Sequence, residues 1–308
     1  MIREQQMRGV YVILCTTFDD RGSLDTESLR KLIRFCVDAG VHGIVTTANA
    51  SEFWTLSDDE RKGIVRLVVD EVAGRVPVVA GVTSGSAWTS SMLARDAQDA
   101  GADALMAMPP MTGSVPLPVA YAYYEMLSQA VSIPIFVQNH EPPMGTKMPP
   151  DFVVRLVNEL DHVDYVKEET FPPGRPLGAE LAQGGEALKG AMGGIGARHL
   201  FDEYSRGACG TMPACPWADI HVQIWNALEA GDYETARVIH SALLPIMNHE
   251  NMLSVPLYKE VLVRRGLAAS DYVRSAFGNP LDERDRKELD RMLDAVEPYI
   301  ALAPPRRD

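Results

Sequence analysis

Metal-site and disulfide signatures are missing from this sequence. Its four cysteines (Cys15, Cys36, Cys209 and Cys215) form no C-x-x-C pair, and its seven histidines form no H-x-x-x-H cluster. No ligand set for a metal follows, and the cysteines are expected to be reduced and scattered through the core. Positive charge is also short, with 29 lysines and arginines against 42 acidic residues and a net charge of −13. That balance argues against nucleic acid or an anionic membrane surface as partner, so an anionic ligand would have to be held by local donors. No stretch approaches the roughly 18 apolar residues of a membrane span. Residues 1–6 have no signal-peptide shape, which makes a cytoplasmic protein the expectation.

What is present is a long alternation. Of the 308 residues 46% are hydrophobic, ample for one large core. Short apolar runs at Val10–Phe18, Gly43–Thr47, Val76–Gly81, Ala104–Met108, Ile133–Gln138, Val163–Thr170, Leu188–Met192 and Gly210–Ala214 read as strands. Each is followed by a helical pattern, the sixth of them (Leu177–Gln183) the weakest. Asp25 and the Ser57–Glu60 capping box mark two of the helix starts. Eight strand–helix units over residues 1–230 predict α/β architecture, a closed (β/α) TIM barrel of eight parallel strands. Only helices are expected beyond it, at Tyr233–Asn251, Val255–Arg265 and Asp282–Leu302, so residues 231–308 read as a helical extension packed on the barrel, with a frayed tail at Pro304–Asp308.

In such barrels the chemistry sits at the C-terminal ends of the strands. The sixth strand ends there in Lys167, Glu168 and Glu169. A lysine in a core strand has two readings: an ion pair with a neighbouring glutamate, or an amine kept desolvated to attack a carbonyl carbon. Side chains alternate along a strand, so Tyr165, Lys167 and Glu169 share one face and Phe136, Gln138 and His140 another. An amine, a carboxylate and an amide then surround one small cavity. Strand two ends in Asn49, Ala50, Ser51 and Glu52, and strand seven in Gly193, Gly194 and Gly196, a spacing that suits a tight turn or room for a ligand.

This arrangement resembles the dihydrodipicolinate synthase / N-acetylneuraminate lyase family of Schiff-base aldolases, over nearly the whole chain from Val10. Within it, the closer likeness is to the 2-keto-3-deoxy-pentonate dehydratases, through Ala48–Glu52, Val137–Gln138, Lys167–Thr170 and Asn248–Asn251. The resemblance implies that Lys167 condenses with the 2-keto carbon of a small acid, with no cofactor beyond that covalent imine. It implies a substrate carboxylate held at Asn49, Ala50 and Ser51, with His140 and Gly194 also toward the substrate, and a homo-oligomer, dimer or tetramer. Glu169 is the first candidate for the base at C3, and a water held by Gln138 the second. Glu52 reads as a brace of its loop. Three departures stand out. Gln138 occupies the family's tyrosine position, and an amide cannot relay a proton; Pro143 replaces the synthases' arginine, which argues against dipicolinate synthesis; and Met111 stands where an aromatic hydroxyl often sits, a departure from the dehydratase branch as well. The expected activity is dehydration of a 2-keto-3-deoxy sugar acid. The alternatives are a pyruvate-dependent retro-aldol or condensing lyase, and a barrel that only binds keto acids.

Overall fold

The computed structural model describes residues 7–110, 113–275 and 280–301. Met111, residues 1–6 and the tail at Pro304–Asp308 lie outside them. Eight parallel strands close into a barrel in sequence order: β1 (Gly9–Ile13), β2 (Gly43–Thr46), β3 (Val78–Gly81), β4 (Ala104–Ala107), β5 (Ile135–His140), β6 (Val163–Glu169), β7 (Gly190–Gly193) and β8 (Gly210–Thr211). Between them run α1 (Thr26–Asp38), α2 (Asp58–Val72), α3 (Ala87–Asp99), α4 (Leu117–Ser128), α5 (Pro150–Glu159), α6 (Gly174–Gln183) and α7 (Leu200–Ser205), with α8 (Ala218–Glu229) after β8. Three more helices follow: α9 (Tyr233–Leu253), α10 (Val255–Arg264) and α11 (Glu283–Val296).

The strands are mainly apolar because both faces are covered, the polar residues of β5 and β6 gathering toward their C-terminal ends. One set of side chains fills the barrel, including Tyr11, Val45, Val79, Met106, Phe136, Tyr165 and Met192. Phe136 and Tyr165 stack there with ring centroids 4.6 Å apart. The other set packs outward on the helices. Helix starts follow the sequence: Asp25 accepts from the Ser28 amide, and Ser57 and Glu60 close a reciprocal capping box.

The ends shift where tertiary contacts take over. β1 stops at Ile13 and β8 at Thr211, both shorter than the apolar runs around them, although Ile13 still bridges Ala214. The last helix gives way after Val296 to a short turn at Glu297–Tyr299. All four cysteines are free and buried, and Cys209 lies apart in the barrel interior, but the other three are not scattered. Cys15, Cys36 and Cys215 meet in one buried group, where the Cys215 sulfur accepts the Cys15 amide at 3.3 Å. Residues far apart in sequence converge there because β1, α1 and the turn after β8 share one core.

Candidate active site

Paired β5 and β6 set Gln138 beside Lys167 and His140 beside Glu169. Lys167 is only 1% exposed, so its ammonium needs a partner. Glu169 supplies it, with Oε1 3.1 Å from the Lys167 Nζ. The same carboxylate accepts the Gln138 Nε2–H at 2.6 Å and the Ile195 amide at 3.2 Å. Burial by itself would raise the Glu169 pKa, but the charges of Lys167 and His140 and the Gln138 hydrogen bond outweigh it and hold the carboxyl at about 2. The neighbouring Glu168 points the other way, away from the cavity, and is tied to Asn139 and to the Thr170 amide.

Lys167 and Glu169 open onto a cavity of about 370 Å³. Its wall carries Asn49 and Ala50 from the loop after β2, His140 from β5, Ile195 and Arg198 from the loop after β7, and Met247, Glu250, Asn251 and Tyr258 from α9 and α10. No acceptor among the described residues meets the amide N–H groups of Asn49 and Ala50. Two unclaimed donors at a cavity wall suit a carboxylate. Behind them Glu52 is fully buried, pairs with the equally buried Lys259 at 3.1 Å and accepts the Ser275 amide at 2.8 Å. Positive φ angles at Thr47, Glu52, Ile195 and Ser254 fall in these same loops, the kind of local strain that surrounding hydrogen bonds must hold.

Not every residue expected at the site reaches the cavity. The Ser51 hydroxyl donates to the Leu14 carbonyl at 2.5 Å and accepts the Ala48 amide at 3.2 Å. It braces the loop and is absent from the cavity wall. Gly194 is absent from the cavity wall, and a Cβ there would run into the Glu169 carboxyl, so the glycine makes room for that side chain. Gln138 also stays behind the wall, where its amide positions Glu169 and leaves no hydroxyl relay on β5.

Other wall residues were not anticipated, above all Arg198, Glu250 and Tyr258. Arg198 donates to Asn251 Oδ1 at 2.9 Å. Glu250 is 5% exposed and takes the Trp217 indole N–H at 2.9 Å. A signal for Glu250 was available: it continues the apolar series of Leu243 and Met247 at helical spacing, and an acid on a buried helix face demands a reason.

A profile of the Dihydrodipicolinate synthetase family matches residues 6–172, over half of the 308-residue chain. The chain belongs to that family. Within the Dihydrodipicolinate synthetase family, L-2-keto-3-deoxyarabonate dehydratase of Azospirillum brasilense is 35% identical over 262 residues, 84% of each chain. A 4-hydroxy-tetrahydrodipicolinate synthase of Methanopyrus kandleri is 31% identical over 253 residues, covering 78% of this chain and 80% of its own. Among solved structures, YagE of E. coli K12, a prophage protein of the dihydrodipicolinic acid synthase family crystallised with pyruvate, is similar with a TM-score of 0.88 at 26% identity, covering 95% of this chain and 99% of that one. Its relatives are dehydratases and synthases, and this chain is a lyase of the same family. No helix of the described residues is long and apolar enough to cross a membrane.

Proposed function

We propose that this lyase forms a Schiff base between Lys167 and a 2-keto acid and dehydrates a 2-keto-3-deoxy sugar acid of pentonate size. The observation that carries the reading is a lysine 1% exposed at the end of β6, 3.1 Å from an ionised carboxylate, in a cavity with two unclaimed amide donors. The amides of Asn49 and Ala50 hold the substrate carboxylate. Glu169 takes a proton from the Lys167 ammonium, which frees the amine to add to C2, and returns it to the carbinolamine oxygen, which leaves as water. The resulting iminium is the electron sink, so the reaction calls for no cofactor. Glu169, again ionised, removes a proton from C3 to give the enamine. Loss of the C4 hydroxyl then restores the iminium in conjugation with a C3–C4 double bond, and rearrangement and hydrolysis release the product.

The resemblance to a keto-deoxy-arabonate dehydratase at 35% identity supports this substrate class. Gln138, bound to Glu169 where the synthases carry a tyrosine, supports it against dipicolinate synthesis. A pyruvate-releasing lyase would use the same iminium and is separated by its product. The test is borohydride reduction followed by intact-protein mass measurement, first with pyruvate and then with a panel of 2-keto-3-deoxypentonates. An adduct is expected with the wild-type chain and none with Lys167→Ala. If the wild type traps no keto acid, the Schiff-base reading fails; pyruvate as the product from a pentonate would replace dehydration by cleavage.

A further inference from the structure

Dehydration through an enamine expels hydroxide, a poor leaving group, and β5 offers no hydroxyl to protonate it. We propose that Glu250, delivered from α9 to the cavity wall, is the general acid that protonates the departing C4 oxygen. This rests on the Schiff-base reading above and adds the second half of its proton traffic.

The geometry fixes which oxygen carries the proton. The Trp217 indole N–H can only donate, so Glu250 Oε1, 2.9 Å away, must accept. Oε2 has no hydrogen-bond partner among the described residues and lies near Gly196, which also lines the cavity. A neutral carboxyl held this way presents its O–H from Oε2. The charged and titratable groups facing it are Arg198 from the β7 loop, Tyr258 from α10 and the buried Cys215, with Lys167 and Glu169 on the same cavity wall. Arg198 is already engaged with Asn251 and the Ile195 carbonyl. Burial dominates over it and pushes the Glu250 pKa up to about 8, while the Glu169 carboxyl sits at about 2. Two carboxyls in one cavity, one neutral and one ionised at neutral pH, are the pattern of an acid paired with a base.

The step balances without a co-reactant. The enamine nitrogen pair re-forms the C2 iminium, the C2–C3 pair becomes the C3–C4 double bond, and the C4–O bond breaks. Its electrons stay on oxygen, which takes the Glu250 proton and leaves as water. The Glu250 carboxylate then removes a C5 proton while Glu169 returns its proton to C3. Both carboxyls are reset and the iminium is left to hydrolyse.

The test compares Glu250→Gln with wild type on a 2-keto-3-deoxypentonate and on its 4-deoxy-4-fluoro analogue, since fluoride leaves with far less help from an acid. Glu250→Gln is expected to trap pyruvate with borohydride and to exchange C3 protons with solvent, yet to lose about 10²- to 10⁴-fold in kcat for the hydroxyl substrate. Fluoride release from the analogue, read in a single turnover because it precedes the C5 step, should slow less than about tenfold on the same principle. With the wild-type enzyme, kcat for the hydroxyl substrate should fall above about pH 8 and kcat for the fluoro analogue should not; this arm needs no variant to fold. Equal losses for the two substrates, an unchanged rate in Glu250→Gln, or the same alkaline limb for both leaving groups would overturn the assignment. Failure of the wild type to trap any keto acid would instead remove the Schiff-base reading beneath it.

Discussion

Glu169 is held by Lys167, Gln138 and the Ile195 amide, and it fits only because residue 194 has no side chain. The atoms nearest a Cβ built at Gly194 all belong to the Glu169 side chain, so a methyl there meets that carboxyl first. A methyl group at 194 would therefore push the carboxylate off the lysine without unfolding the loop. Gly194→Ala is expected to lower kcat about a hundredfold, the scale on which a displacement of about 1 Å acts on a reacting group, with secondary structure unchanged by circular dichroism. A wild-type rate in that variant would show that the Glu169 position is not critical.

Among elements, the loop after β2 and helix α10 act as one unit. Lys259 and Glu52 are both fully buried, and Lys259 also donates to the Thr16 and Tyr272 carbonyls. The pair fixes the amides of Asn49 and Ala50 against the barrel while α10 brings Tyr258 to the same cavity. Lys259→Met leaves the buried Glu52 carboxylate without its ion-pair partner and is expected to cost about 3–5 kcal/mol, read from urea unfolding. Adding Glu52→Gln should recover part of that loss, since the two sites are coupled. Strict additivity of the two changes would show that the ion pair is not what joins the elements.

Over the whole molecule, buried carboxyls set how stability responds to pH. Glu203 is buried behind β7 with both oxygens unpartnered among the described residues. Burial, and then the nearby Glu169, Asp202 and Glu168, push its pKa from 4.5 to about 8. Between those values the folded state holds a proton that the unfolded chain has released, so stability falls as pH rises. Glu250 acts in the same direction. His221, buried and pushed down from 6.5 to about 3, acts in the opposite sense, but only below its unfolded value of 6.5. From pH 6.5 to 8 the decline is thus unopposed by His221. Glu203→Gln is expected to flatten it by up to about 1.4 kcal/mol per pH unit, the most one proton can contribute, as measured by urea unfolding across that range. An unchanged slope would mean that Glu203 is ionised in the folded protein.

Strand and helix periods, capping residues and the lysine at the end of the sixth strand depend on local spacing, and all are legible in the sequence alone. So was the shared face of Lys167 and Glu169, which follows from the two-residue repeat of a strand. The roles of Ser51, Gly194 and Gln138 were not, because each depends on a neighbour from another part of the chain: Leu14 for Ser51, and Glu169 for both Gly194 and Gln138. The meeting of Cys15, Cys36 and Cys215 and the arrival of Glu250 and Tyr258 at the cavity belong to the same class. Periodicity is a property of adjacent residues and survives in one dimension. Which buried polar group faces which partner is decided only when barrel closure and the packing of α9 and α10 bring distant residues into contact.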